Sequence, residues 1–245
     1  MHDLNLTFIG SGNAFSPAGL CCNGFLVNDR VLFDAPPQAL SSLNTVGAEI
    51  NEIDAVVISH HHGDHFLGLP FLLLHWKWKG RTKPVQIVGP RGTEVLGKDI
   101  VEKVFPGSLR DIGYDLEWID AKPGSPLILR QGFEIEPYPM VHDPELSMCL
   151  GYKTRVGATT FSYTGDSVMC DSVLDLTKGV DLMVSECASR ADRIPVHMNL
   201  VDDMPVVRRN LASTSPLILT HIAAGVDTNG MANTYVAEDF KRFSF

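Results

Sequence analysis

Ser59-His60-His61-His62-Gly63-Asp64-His65 follows directly on the apolar run Ala55-Val56-Val57-Ile58. Three of its histidines and its carboxylate fit an HxHxDH spacing. His60 and His62 project one way from an extended segment, and the turn at Gly63 swings Asp64 and His65 toward a second point nearby. Neutral imidazole and carboxylate are ligands suited to Zn, Mn or Fe, and such a dense group is hard to place in an apolar core. Two adjacent metal sites account for the spacing better than one; a solvated His-rich loop or a single structural metal is the plainer alternative. His61, the surplus histidine, is expected beside the ligands or at the surface.

Outward from this loop the chain is a succession of short β-type runs: Leu4 to Ile9, Gly24 to Val27, Val31 to Asp34, Ala55 to Ser59, Val85 to Val88, Phe133 to Tyr138, Thr160 to Tyr163, Leu182 to Ser185 and Leu217 to Thr220. Helical patterns fall between some of them, at Pro37 to Thr45, Leu67 to Lys79, Gly92 to Phe105, Asp171 to Lys178 and Leu200 to Leu211. The class is mixed α and β. Runs such as Ala55-Val56-Val57-Ile58 and Leu217-Ile218-Leu219 are apolar throughout, as strands covered on both faces are, whereas Phe133-Glu134-Ile135-Glu136 alternates. Two sheets with helices outside them satisfy both patterns. With 245 residues and no Ser/Pro-rich linker, a single domain over residues 1–245 is expected.

Composition removes several classes. The longest apolar stretch, Phe66 to Trp76, is interrupted by Pro70 and His75 and falls short of the ~20 residues that a membrane-spanning helix needs. A formal charge of −9 disfavours general attraction to nucleic acid or an anionic membrane. Cys21, Cys22, Cys149, Cys170 and Cys187 form an odd, scattered set with no CxxC pair, which fits reduced thiols. Met1-His2-Asp3-Leu4 has neither a basic start nor an apolar signal core, so the cytoplasm is the expected compartment.

Apolar strands here end in ionisable residues: Ile58-Ser59-His60, Tyr163-Thr164-Gly165-Asp166 and Leu219-Thr220-His221, while His142 follows the run Phe133 to Tyr138. Strand ends are where a rigid scaffold presents reactive groups. In these residues and their order the chain resembles the metallo-β-lactamase superfamily. The resemblance implies an α+β fold, the four-layer αββα sandwich, with metal at the edge between its sheets. It also implies a ligand set: His60, His62 and His142 for one metal, Asp64, His65 and His221 for the other, and Asp166 bridging them. The implied cofactors are two divalent ions, zinc first, with manganese or iron as substitutes.

Further matches are similar to the ribonuclease Z branch and related phosphodiesterases: Phe8-Ile9-Gly10-Ser11-Gly12-Asn13-Ala14, His65-Phe66-Leu67-Gly68-Leu69-Pro70, Val88-Gly89-Pro90-Arg91-Gly92 and Cys149-Leu150-Gly151-Tyr152. One departure matters. Ribonuclease Z carries a long arm that grips tRNA between the residues matching His142 and Asp166, and here only 24 positions separate the two, with β-type sequence filling them. The expected substrate is therefore a small nucleotide-like or cyclic phosphodiester ahead of precursor tRNA. Lactone, thioester and β-lactam hydrolysis remain open on the ligand set alone. So does iron-based redox chemistry, although no flavin-binding companion domain follows.

Paired cations lower the pKa of a shared water toward ~7, which supplies a hydroxide nucleophile without Ser or Cys. Asp64 is expected to handle that water's proton as well as to ligate. His197, in Ile194-Pro195-Val196-His197-Met198-Asn199, resembles the non-ligand histidine that the ribonuclease Z branch places beside the scissile phosphate. It is the candidate general acid, or else a surface histidine. Arg190 and Arg193 are candidates for an anionic substrate, or solvated loop residues. Ser11 and Asn13 line the pocket or serve turn chemistry. Lys77, Lys79, Arg81 and Lys83 form the one basic patch near the site helix, open to RNA or to plain solvation. Trp76 and Trp78 face differently on a helix, so one is expected at the surface, and related ribonuclease Z proteins pair through this region, which implies a homodimer.

Overall fold

Val, Ile, Leu and Phe fill the runs that become strands. In the computed structural model, which describes residues 4–245, these runs form two seven-stranded sheets lying face to face. Met1-His2-Asp3, read above for export, lies outside the described residues. The first sheet takes β1 (Asn5–Gly10), β2 (Gly24–Val27), β3 (Val31–Phe33), β4 (Ala55–Val57), β5 (Val85–Gly89) and β6 (Leu116–Asp120). Its connections carry α1 (Ala39–Thr45), α2 (Gly63–Phe66), α3 (Leu69–Trp78) and α4 (Thr93–Val104). The second sheet takes β7 (Leu127–Ile128), β8 (Glu134–Met140), β9 (Cys149–Val156), β10 (Thr159–Tyr163), β11 (Leu182–Glu186), β12 (Leu217–Thr220) and β13 (Thr234–Val236), with α5 (Asp171–Leu176) and α6 (Met204–Asn210). The last strand, β14 (Arg242–Ser244), returns to pair antiparallel with β1. Strand order is β14-β1-β2-β3-β4-β5-β6 in one sheet and β13-β12-β11-β10-β9-β8-β7 in the other.

Side-chain alternation builds the layers. Phe25, Val27, Val31, Phe33, Ala55 and Val57 pack between the sheets with Tyr152, Phe161, Tyr163, Val184 and Ile218. The intervening Leu26, Leu32, Val56 and Ile58 point the other way, onto Leu43, Phe66, Leu72, Leu73 and Trp76 of the helices. Beyond the second sheet, Met183, Leu217 and Leu219 meet Val173, Leu176, Met204 and Val207 of α5 and α6. The result is the αββα order of layers, and burial on both faces is why these strands read as unbroken apolar runs. Phe33 stacks on Phe25 at 5.1 Å between centroids, and Tyr163 meets Phe25 edge-on at 5.1 Å from the opposite sheet.

β3, β4 and β5 run parallel, as do β10, β11 and β12. Their C-terminal ends meet at one edge of the sandwich, and the side chains there are polar. No helix among the described residues is long and apolar enough to cross a membrane, and all five cysteines are free thiols.

The helix expected from Leu200 begins at Met204, where Pro205 occupies the first turn and lacks only an N–H that has no helical partner there. The helix at Asp171 stops at Leu176 rather than Lys178, ahead of Gly179 at φ 65°. β9, an eight-residue interior strand, lies outside the runs read as strands, and so do β6, β7, β13 and β14. The last four are short edge pieces of their sheets, with at least one exposed residue each, and three of them have only two or three residues.

Candidate metal centre

β4 delivers Ser59 and His60 to the sandwich edge, and His62 caps α2, whose single turn carries Asp64 and His65. The loop after β8 brings His142, the turn after β10 brings Asp166, and His221 follows directly on β12. Two groups form: His60, His62 and His142, and beside them Asp64, His65, Asp166 and His221, with the ligand atoms of each group within 4.8 Å of one another. All seven residues singled out from the sequence are thus brought together.

The hydrogen bonds behind the first group fix its tautomers. Ser59 Oγ donates to Asp34 Oδ2, so it accepts from His60 Nδ1 at 2.9 Å. His62 Nε2 donates to Asp143 Oδ2 at 3.0 Å, and His142 Nδ1 to the Val196 carbonyl at 2.9 Å. Each ring therefore turns a bare nitrogen inward. His60 Nε2 and His142 Nε2 each lie 3.1 Å from His62 Nδ1. Three lone pairs facing one another call for a cation, and tetrahedral zinc with its usual Zn–N bonds would hold such nitrogens about 3.3 Å apart.

In the second group, Asp64 Oδ2 lies 3.2 Å from His65 Nε2 and 3.3 Å from His221 Nε2. Asp166 Oδ2 lies 3.3 Å from both imidazoles and also 3.8 Å from His60 Nε2 and 3.9 Å from His142 Nε2, between the two groups. Buried His65 Nε2 and Asp166 Oδ1 have no hydrogen-bond partner among the described residues, which is a large cost unless a cation takes them. His221 Nδ1, on the outer side of its ring, is also without one. The donor set fits divalent metal.

Charge follows the same geometry. Burial lowers the basicity of His60 and His142. Burial also acts against the charged form of His65, but Asp166 and Asp34 outweigh it and hold the imidazole well above its ordinary range. Burial opposes ionisation of Asp64 and Asp166 too, yet the facing imidazoles keep both carboxyls far below the usual carboxylate range.

His197 stands next to this centre, its ring 4.8 Å from His142 and 5.2 Å from His221. It belongs to neither of those two groups, but it also comes within 4.8 Å of ligand atoms of His142 and Asp166 on one side and of Glu186 and His221 on the other. Its Nδ1 lies 3.0 Å from Glu186 Oε1, a carboxylate buried at the end of β11 that also accepts from Ser167 N–H at 2.7 Å. Burial lowers the pKa of His197, but the bond to Glu186 outweighs it and the imidazole is pushed up to about 9.

The remaining candidates divide. His61 sits outside both groups, with Nε2 2.8 Å from Thr93 Oγ1. Ser11 gives its N–H and hydroxyl to Asp239, and Asn13 donates to Ala188 O while accepting from Phe15 N–H, so both tether their loop to distant segments. Arg190 pairs with Asp227 at 2.8 Å and Arg193 with Asp202 at 3.2 Å, each at the surface. Arg193 also lines a cleft of about 250 Å³ beside His197. The basic patch dissolves: Arg81 is buried and donates to the carbonyls of Asn51, Ile53, Lys83 and Pro84, Lys77 caps Gly107 and Arg110, and Lys83 pairs with Glu52. Of the tryptophans, Trp76 is buried and Trp78 is 71% exposed.

Asp34, Asp143 and Glu186 were not among the candidates, although each orients one. Asp34 and Glu186 close their strands, so the strand-end regularity that marks His60 and His221 marks them as well. Asp34 and His221 both take left-handed backbone, at φ 57° and φ 53°, a conformation that non-glycine residues keep where packing enforces it.

The profile of the family described as Anti-Pycsar protein Apyc1 matches residues 4–218. The chain belongs to this family. Among relatives of the Apyc1-family chain, ribonuclease Z of Pyrobaculum arsenaticum is 28% identical, aligned over 90% of this chain and 87% of the relative. The crystal structure of YhfI, a metallo-β-lactamase-fold protein from Bacillus subtilis, superposes with a TM-score of 0.79 at 22% identity, covering 99% of this chain and 100% of that one. Human tRNase Z, short form, gives 0.74 at 20% identity, with 98% of each chain covered. This Apyc1-family chain has the metallo-β-lactamase fold and is a metal-dependent hydrolase with ribonuclease Z homologues.

Proposed function

We propose that the chain is a phosphodiesterase for a small nucleotide-like or cyclic phosphodiester. His60, His62 and His142 would hold one divalent ion and Asp64, His65 and His221 a second, with Asp166 shared and zinc the expected metal. Such ions supply acidity to water and draw charge from phosphoryl oxygens. Asp64 faces the imidazoles through Oδ2, which leaves Oδ1 to orient the attacking water and take its proton. His197, kept protonated by Glu186, gives its Nε2 proton to the leaving alkoxide.

The observation that carries the substrate size is the β9–β10 hairpin. Cys149–Val156 and Thr159–Tyr163 occupy the interval between His142 and Asp166 with paired strand, so that interval holds no long arm for an RNA. The engaged basic residues and the charge of −9 support the same reading. Homology to ribonuclease Z favours the second reading, tRNA 3′ processing. Zinc-loaded chain assayed on cyclic nucleotides, bis(p-nitrophenyl) phosphate, precursor tRNA and a lactone panel separates them. Cleavage of the small diesters is expected. Turnover of lactones alone, or of precursor tRNA alone, rejects the reading.

We further place the protein in the cytoplasm, where free thiols such as these five persist, and as a homodimer. Leu67, Phe71 and Trp78 leave apolar side chains exposed on one side of α3 and its approach, while Leu69, Leu72, Leu73 and Trp76 are buried in the core. An apolar helix face of this kind fits a second copy of the chain across a two-fold axis.

A further inference from the structure

The loop from β1 to β2, tethered through Asn13 to Ile222 and Ala188, holds an aromatic ring in water. Phe15 is 89% exposed, more than any other large apolar side chain among the described residues. Fraying does not account for it, because the loop is clasped at its base. Asp239 accepts from Ser11 N–H and hydroxyl with one oxygen, at 2.9 and 2.7 Å, and from Cys21 N–H with the other at 2.8 Å. One carboxylate thereby ties both ends.

The loop also hangs from the segments that bear the chemistry. Asn13 N–H donates to the carbonyl of Ile222, next after His221, at 3.1 Å. Asn13 Nδ2 donates to Ala188 O at 3.3 Å, on the stretch leading from Glu186 to His197, and Asn13 Oδ1 accepts from Phe15 N–H at 3.1 Å. Beyond the ring, Ser16 and Ala18 hold left-handed backbone at φ 46° and φ 54° without being glycine. A pinned, strained loop that keeps a phenyl ring out of the core, suspended from the residues flanking His221 and Glu186, suits a flat ring on the substrate.

We infer that Phe15 is the platform on which the base of a nucleotide substrate stacks. This rests on the phosphodiesterase reading and assigns a residue to it: through Phe15, diesters carrying a nucleoside gain affinity over those carrying a plain alkyl group. Stacking accepts every base because each has a π-face, so Phe15 provides affinity for nucleosides without choosing among them.

Two esters with the same leaving group isolate the effect: thymidine 5′-(p-nitrophenyl phosphate) and methyl p-nitrophenyl phosphate. With the zinc-loaded full chain, Phe15→Ala should raise KM for the thymidine ester about tenfold, the scale of one base–aromatic stack, with kcat and the methyl ester within about twofold of wild type. Phe15→Trp should restore the thymidine KM. Equal losses on both esters, or no loss on either, overturn the assignment, as does a changed sedimentation coefficient accompanying the loss, which would place Phe15 in a subunit contact. Calorimetric titration with thymidine 5′-monophosphate reads the stack without turnover. Weaker binding by Phe15→Ala supports it, and equal affinity of wild type and variant overturns it. Failure of wild type to cleave either ester rejects the phosphodiesterase reading, while the titration still judges Phe15.

Discussion

Asp34, at the end of β3, accepts four hydrogen bonds: from Ser59 N–H at 2.7 Å, Ser59 Oγ at 3.0 Å, His65 Nδ1 at 2.8 Å and the Tyr163 hydroxyl at 2.7 Å. Tyr163 in turn accepts from Asn23, whose carbonyl accepts from Thr220 on β12. One carboxylate thus aims His65 directly and His60 through Ser59, and joins the two sheets beneath both groups. An amide at this place must turn its NH2 donor either toward His65 Nδ1 or toward the Ser59 N–H, each of which is itself a donor. Asp34→Asn should lower zinc affinity about 10- to 100-fold, the usual cost of losing a partner behind a metal ligand. Competition with a chromophoric chelator measures it, and unchanged affinity would show that His65 needs no such orientation. The metal motif itself was legible because four of its groups fall within six residues. Asp34 was not, because its meaning lies in contacts with residues 25, 31 and 129 positions away.

The corner between α2 and α3 sets the position of Asp64 and His65. The Ala35 N–H donates to His65 O at 2.8 Å, and Gly68 N–H to Ala35 O at 2.8 Å, so the turn leaving β3 grips the corner from both sides. A Cβ at Gly68 would stand 2.0 Å from Pro36 O, a backbone atom that has nowhere to go. Gly68→Ala should cost about 3 kcal/mol of stability and release metal with it, because the corner can open only by carrying His65 away. Urea unfolding with metal analysis tests this; a variant of native stability and full metal content contradicts it. At this scale most central strands and the longer helices were readable from apolar periodicity; β9, where Lys153, Thr154 and Arg155 interrupt the apolar run, was not among the runs read as strands. Nor were β13 and β14: three residues at an edge carry no period, and β14 exists through pairing with β1 at the other end of the chain. Arg81 misled for a related reason, since a guanidinium spent on four carbonyls and stacked on Trp76 at 4.9 Å looks in sequence like any surface arginine.

For the whole molecule, the apolar side of α3 is a large feature that the αββα sandwich leaves uncovered. Trp78→Glu should convert a dimer to monomers in sedimentation velocity without loss of metal per chain, since Trp78 is exposed and far from any ligand in sequence. A wild-type chain that sediments as a monomer removes the dimer. Everything else depends on the sandwich bringing residues from positions 60 to 221 into one cluster, proposed above to hold two cations. Zinc per chain, measured by elemental analysis during stepwise reloading of chelator-stripped protein while bis(p-nitrophenyl) phosphate turnover is followed, tests that most directly. The account predicts saturation at two ions, with activity absent from the stripped chain and complete only at the second. A stripped chain that keeps its turnover, or one that binds no zinc at all, contradicts it.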